Sequence, residues 1–186
     1  MNKSGRPIST IILSLLCCLI TLGVGVFDSS LYSFDGSPLI WLSFMPESPL
    51  RAYGLSLIFS PFLHLNMQHL LTNLFFFIPI SMMIEKKKGS FHVTSLFFAH
   101  HFLVLIFLTL GHFYFNFEGA GFLGISHILM GLITYWSVRN RHYWPLLVPA
   151  LFLSVGAFQG QAALTLLAHT FGVIAGLALF IGRRLR

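Results

Sequence analysis

Two polar side chains that lie deep inside apolar stretches of this sequence could together perform acyl transfer. Ser126 stands in the stretch FLGISHILMGL, and His169 stands in LLAHTFGVIAGLALFIGRR. A serine whose proton can be taken by a histidine is an activated nucleophile paired with its general base. A polar group in apolar surroundings is costly unless it has a partner. The pair is therefore a candidate catalytic site.

A second polar group precedes another apolar run. The stretch HLNMQHLLTN, residues 64–73, contains His69 and Asn73, which are four residues apart. Residues at this spacing share one face of a helix. Both side chains can donate hydrogen bonds to an oxygen that becomes negatively charged during acyl transfer. The spacing predicts that His69 and Asn73 stabilise the transition state.

The composition determines which elements must position these side chains. Of 186 residues, 56% are hydrophobic and 9% charged, 21 are Phe, and the mean hydropathy is +0.83. This is far more apolar surface than one soluble core can bury, so we predict an all-α, polytopic membrane protein with a single domain over residues 1–186. The net charge of +6 comes from clusters between apolar runs, and we expect no nucleic-acid partner.

Six apolar segments are long enough, or nearly long enough, to cross the bilayer: 8–27, 67–84, 91–113, 123–138, 143–158 and 162–182. With six crossings, every basic residue except Arg51 falls on one side: Lys3, Arg6, Lys86, Lys87, Lys88, Arg139, Arg141, Arg183, Arg184 and Arg186. The acidic residues of the other side are Asp28, Asp35, Glu47 and Glu118. The positive-inside rule predicts that both termini are cytoplasmic, most simply in a bacterial cytoplasmic membrane, and that 28–63 is a long outer-face loop.

The depth of each polar residue follows from the 1.5 Å rise of a helix, measured from the first basic residue after each segment. Ser126 and Asn73 each lie 13 residues before that charge, which corresponds to about 20 Å. His169 lies at about 21 Å and His69 at about 25 Å. These side chains from three segments are thus predicted to share one layer, about 5–10 Å below the outer surface of a ~30 Å slab.

Four motifs occur in the order and topology of the rhomboid family of intramembrane serine proteases, which the chain resembles between residues of about 60 and 182. The motifs are H-x4-H-x3-N at His64, His69 and Asn73, E-x-K-x-G at Glu85, Lys87 and Gly89, G-x-S at Gly124 and Ser126, and H-x2-G-x3-G at His169, Gly172 and Gly176.

The resemblance implies a six-transmembrane-helix rhomboid core with a Ser126–His169 dyad. It also implies an oxyanion site formed by His69, Asn73 and backbone N–H groups near Ser126, acting on a membrane-tethered protein substrate in the lipid bilayer. No cofactor or metal is expected. The dyad would have no acidic third member, which agrees with the absence of Asp and Glu from the fourth and sixth segments.

Other residues of the motifs have supporting roles in this interpretation. We expect His64 and Gly124 to belong to the active-site or gating loop. Gly172 and Gly176 are spaced for close helix packing, which would bring the sixth segment to the fourth. His127, where the family often has glycine, and Met130, where it often has an aromatic residue, depart from the family pattern, and His127 is assigned no role.

Three further histidines, His100, His101 and His112, lie on the third segment. Because that segment contains no acidic residue and no H-E-x-x-H motif, we interpret them as packing or interface residues rather than as a metal site.

Three alternatives stay open. The small size, the HLN…HLL.N pattern and Gly131 also resemble the rhombosortase branch, which processes C-terminal sorting tails. A catalytically inactive rhomboid-like binding protein would share the fold, although such proteins commonly lack the serine or the histidine. A small transporter would have paired charges or broken helices at the midplane, and apart from the histidines the sequence places no ionisable residue there.

Overall fold

The computed structural model describes residues 6–24, 38–115, 123–158 and 163–184, and its regular elements there are helical, with no β-strand. The eight α-helices of these ranges are α1 (Ile8–Gly23), α2 (Pro38–Leu42), α3 (Ser56–Phe59), α4 (Met67–Lys88), α5 (Ser90–Phe115), α6 (Ser126–Asn140), α7 (Leu147–Phe158) and α8 (Ala163–Arg184). The charges Lys3, Asp28, Asp35, Glu118 and Arg186, and positions 28–37 of the predicted outer loop, lie outside the described residues.

Each of the six predicted apolar segments overlaps one of the longer helices. Three of them are long and apolar enough to cross a membrane: α4, α5 and residues Thr165–Gly182 of α8. Helix α1 and residues Trp144–Ser154 are shorter apolar stretches. These helices make the chain an integral membrane protein. Six crossings and the orientation of the termini stay predictions.

The exterior of the protein is apolar, as contact with lipid requires. On α1, Ile8, Ile12 and Leu19 are 54%, 50% and 64% exposed. The opposite face of the helix is buried and carries small or hydroxyl side chains such as Thr10 and Cys17. In water such an exposed face would be unfavourable, whereas in hydrocarbon it costs nothing.

Helix α6 forms the centre of the bundle. Every residue from Ser126 to Ser137 is buried, and α4, α5 and α8 pack around it. A helix that is buried on all sides shows no amphipathic pattern. Its burial places Ser126, the first residue of α6, inside the protein rather than in lipid.

Two glycines allow α8 to lie directly against the backbone of α6. A Cβ atom at Gly172 would stand 2.2 Å from the carbonyl oxygen of His127, and one at Gly176 would stand 2.5 Å from that of Gly131. Any side chain at either position would push the helices apart. His169 is one turn before Gly172, so this contact sets its distance from α6.

Glu85 connects the start of α1 to the corner between α4 and α5. Pro7 precedes α1 and provides no side-chain cap, so the first N–H groups of the helix need other acceptors. The buried Glu85 carboxylate accepts hydrogen bonds from the backbone N–H groups of Ser9 (2.8 Å) and Thr10 (2.9 Å) and from the hydroxyls of Thr10 (2.6 Å) and Ser90 (2.5 Å). A carboxylate at a helix N-terminus is also favoured by the helix dipole.

Candidate active site

Ser126 and His169 are in hydrogen-bond contact. The Nε2 atom of His169 on α8 lies 2.8 Å from Oγ of Ser126 on α6, and each residue is only 4% exposed. This distance is within the range in which a general base takes a proton from a nucleophile. The contact joins residues 43 positions apart in the sequence, on two helices that the glycine packing holds together.

Gly124 makes the turn that leads into α6. Its φ is +96°, a backbone conformation that residues other than glycine rarely adopt. Its N–H donates a hydrogen bond to the carbonyl of Ser60 at 2.9 Å. A Cβ atom here would also meet Cε1 of His69 at 3.1 Å. The residue before Ser126, Ile125, is fully buried and gives α6 no side-chain cap. The first N–H groups of α6 therefore point beyond the helix end, beside Ser126.

His69 and Asn73 lie in the first two turns of α4. The side chain of Asn66 caps the helix by accepting a hydrogen bond from the backbone N–H of His69 at 2.8 Å. The contact with Gly124 places the His69 ring beside the turn that leads into Ser126 and α6. Asn73 is 1% exposed, and neither Oδ1 nor Nδ2 has a hydrogen-bond partner in the part of the chain that the structure describes. A buried amide in this condition is unusual and is costly to keep.

His64 lies next to His69, in the segment that precedes α4. It is fully buried, its ring centroid is 5.1 Å from that of His69, and its Nδ1 is 3.2 Å from Oγ1 of Thr21 on α1. Because Thr21 donates its own proton to the carbonyl of Phe62, its oxygen can accept from Nδ1–H of His64. Burial, together with the neighbouring His69, lowers the pKa of His64 to about 3 and keeps this ring neutral.

Two contacts of this region have no counterpart in the sequence interpretation. Phe152 of α7 packs edge-on to the His169 ring, with centroids 6.4 Å apart. The aromatic contact to this histidine thus comes from α7 and not from position 130 of α6, where the family often has an aromatic residue. His127 contacts His101 of α5 through a hydrogen bond of 3.0 Å. With 21 Phe and 9 His in the chain, the sequence contains no signal that selects these pairs.

Comparison with known proteins finds a family model that covers most of the chain. The family model described as the Rhomboid domain matches residues 51–185, which is more than two thirds of the chain and includes every candidate residue of the site. No curated protein matches the chain significantly.

Proposed function

The chain belongs to the rhomboid family, and we propose from this that it is an intramembrane serine protease with Ser126 as nucleophile and His169 as general base. The observation that carries the proposal is the buried 2.8 Å contact between Nε2 of His169 and Oγ of Ser126. Proteases of this family act in the membrane on membrane-tethered substrates.

The reaction proceeds by acyl transfer. His169 takes the proton of the Ser126 hydroxyl while Oγ attacks the carbonyl carbon of the substrate peptide bond. The imidazolium then gives that proton to the departing amine, which leaves an acyl ester on Ser126. A water molecule, deprotonated by the same imidazole, attacks the ester carbon, and the proton returns to Oγ as the carboxylic acid product leaves.

The negative charge of each tetrahedral intermediate requires donors. We assign this role to His69, Asn73 and the first N–H groups of α6. The unpartnered amide of Asn73 supports the assignment, because a donor held ready in a buried site pays its desolvation before the reaction starts. The positive end of the α6 dipole acts in the same direction.

The location of the reaction follows from the topology that the charges predict. Six crossings with both termini in the cytoplasm, in a bacterial cytoplasmic membrane, place Ser126 near the outer face. A helical substrate hides its carbonyl carbons, so it must unwind locally to reach Oγ. Water reaches the site from the outer face, above the N-terminus of α6.

Proteins with C-terminal sorting tails are a second candidate substrate class. The observation that favours them is the resemblance to the rhombosortase branch, carried by the motif from His64 to Asn73 and by Gly131. Such a tail presents its cleavage site near one end of a single membrane span, as the outer location of Ser126 requires.

The proposal can be tested with purified protein. The wild type and a Ser126→Ala variant are each incubated with single-pass membrane substrates, some of which carry sorting tails. We expect cleavage by the wild type and none by the variant. Cleavage that persists in Ser126→Ala would refute the nucleophile. A wild type that cleaves no substrate and does not react with serine-directed probes would support the inactive binding protein instead.

A further inference from the structure

Two buried histidines form a bridge beside the proposed nucleophile. His127 directly follows Ser126 in α6, and its Nε2 lies 3.0 Å from Nδ1 of His101 on α5. Nε2 of His101 lies 2.8 Å from the carbonyl oxygen of Leu57 in α3. Both rings are fully buried, with centroids 5.3 Å apart. Hydrogen bonds thus connect the first turn of α6 to two other elements.

The chemistry of the acceptor at one end sets the direction of this chain. A carbonyl oxygen only accepts, so Nε2 of His101 must carry a proton. In the neutral ring Nδ1 of His101 is then an acceptor, and Nε2 of His127 must be the donor. Hydrogen bonds are directional, so this pair fixes the rotation of the first turn of α6 as well as its position.

The start of α6 needs such support. Ile125 offers no side-chain cap, and the backbone N–H groups of a first helical turn have no partner within the helix. On its other side, the carbonyl of His127 lies against Gly172 of α8. His127 is therefore held by α5 through its side chain and by α8 through its backbone. It directly follows Ser126, whose Oγ must face His169.

We propose that His127 and His101 are positioning residues that hold Ser126 in line with His169. This inference rests on the proposed protease function. The side chain of His127 bonds to His101, and that of His101 bonds on to Leu57, so we expect both to act through the backbone of α6 rather than on the substrate. Their loss should lower kcat and leave KM nearly unchanged, whereas a substrate-binding residue would raise KM.

The first test compares two variants at one position. His127→Leu removes the donor while keeping a bulky side chain, and it should lower kcat by about 10–100-fold because small misplacements of a nucleophile are this costly. His127→Gln places an amide N–H close to the former Nε2, so it should recover most of the loss. Thr134→Val is the matched control: Thr134 is an equally buried polar residue of α6 whose hydroxyl donates to the carbonyl of Met130 in the same helix at 2.8 Å, and valine keeps its shape. It should stay within about threefold of wild type.

A second comparison distinguishes loss of the positioning role from loss of folding. It tests the proposal even if His127→Leu does not fold. His101→Asn keeps an acceptor near Nδ1, whereas His101→Gln keeps only a donor near Nε2. The rate at which a fluorophosphonate labels Ser126 in the monodisperse fraction should be about tenfold faster for His101→Asn.

The outcomes are distinct. If the wild type neither cleaves nor becomes labelled, the protease function itself fails. If the wild type is active but His127→Leu keeps its kcat, or if the two His101 variants are labelled at equal rates, only the positioning role is overturned. A drop in Thr134→Val as large as that in His127→Leu would likewise overturn it.

Discussion

One added methyl group at Gly172 should separate the two residues of the proposed dyad. In Gly172→Ala the new Cβ would lie 2.2 Å from the carbonyl oxygen of His127, whereas ordinary contact begins at 3.4 Å. That oxygen belongs to the backbone of the buried part of α6 and cannot rotate away. The helices α6 and α8 must therefore move apart by about 1.2 Å at this level.

The magnitude follows from the position of His169, one turn before Gly172. If α8 shifts as a unit, the distance from Nε2 of His169 to Oγ of Ser126 grows from 2.8 Å to about 4 Å, too far for a hydrogen bond. We expect kcat to fall by about 100-fold. Overpacking of this kind also costs about 1–3 kcal/mol of stability, so the protein should still fold.

Two other glycines of α8 calibrate the effect. Gly176→Ala needs a smaller shift, since its Cβ would meet the carbonyl oxygen of Gly131 at 2.5 Å and the Cβ of Thr134 at 2.9 Å, and it lies one turn further from His169. Gly182→Ala is the matched control, because nothing lies within 4 Å of its added Cβ.

The assay for this series is the rate of fluorophosphonate labelling beside substrate cleavage, with size exclusion in detergent as the folding control. The predicted order of loss is Gly172→Ala, then Gly176→Ala, with Gly182→Ala close to wild type. Full activity in a monodisperse Gly172→Ala protein would refute the reasoning. An equal loss in Gly182→Ala would show that helix propensity, and not helix separation, causes the effect.

The remaining predictions concern the oxyanion site, the start of α1 and the topology. His69→Ala and Asn73→Ala should each lower kcat/KM by about 10²–10³-fold with the fold intact, and their effects should not add; wild-type turnover in either variant would make that residue a packing element only. Glu85→Gln should lower the free energy of unfolding by about 1–3 kcal/mol because buried N–H groups lose a charged acceptor; an unchanged thermal midpoint in detergent would contradict this. A reporter fused after Arg186 should be active only as a cytoplasmic fusion, and periplasmic activity would exclude six crossings.

The helices could be predicted from the sequence because each apolar segment is bounded by charged or turn-forming residues. A common layer for Ser126 and His169 could also be predicted, and the structure places the two side chains in hydrogen-bond contact. Counting 1.5 Å per residue locates a side chain along its helix but not around it. The direction of each side chain came from the family resemblance.

The partners of His101 could not be predicted for a related reason. In a soluble helix the polar face marks the outside, but α5 is apolar on the side of the lipid and on the side of the core. Its histidines therefore carried no sign of which helix they face. The role of Glu85 was missed for a different reason, since its donors Ser9 and Thr10 lie about 75 residues earlier and are ordinary helix residues.

The local backbone conformation of the predicted outer loop could not be predicted from the sequence either. Ala52 and Tyr53 adopt positive φ values of 52° and 56°, a conformation in which residues other than glycine are uncommon. Neither residue type favours this conformation, and Tyr53 is 96% exposed, so the sequence contains no local signal for it. The interpretation of residues 28–63 as one outer-face loop therefore lacked the short helices α2 and α3.

The most direct test of the account is the labelling of Ser126 by a serine-directed fluorophosphonate in the wild type and in His169→Ala. The wild type should be labelled at Ser126, and His169→Ala, still inserted and monodisperse in detergent, should lose nearly all labelling because no base remains to take the proton. Undiminished labelling of the His169→Ala protein, or labelling of a serine other than Ser126, would contradict the proposed dyad.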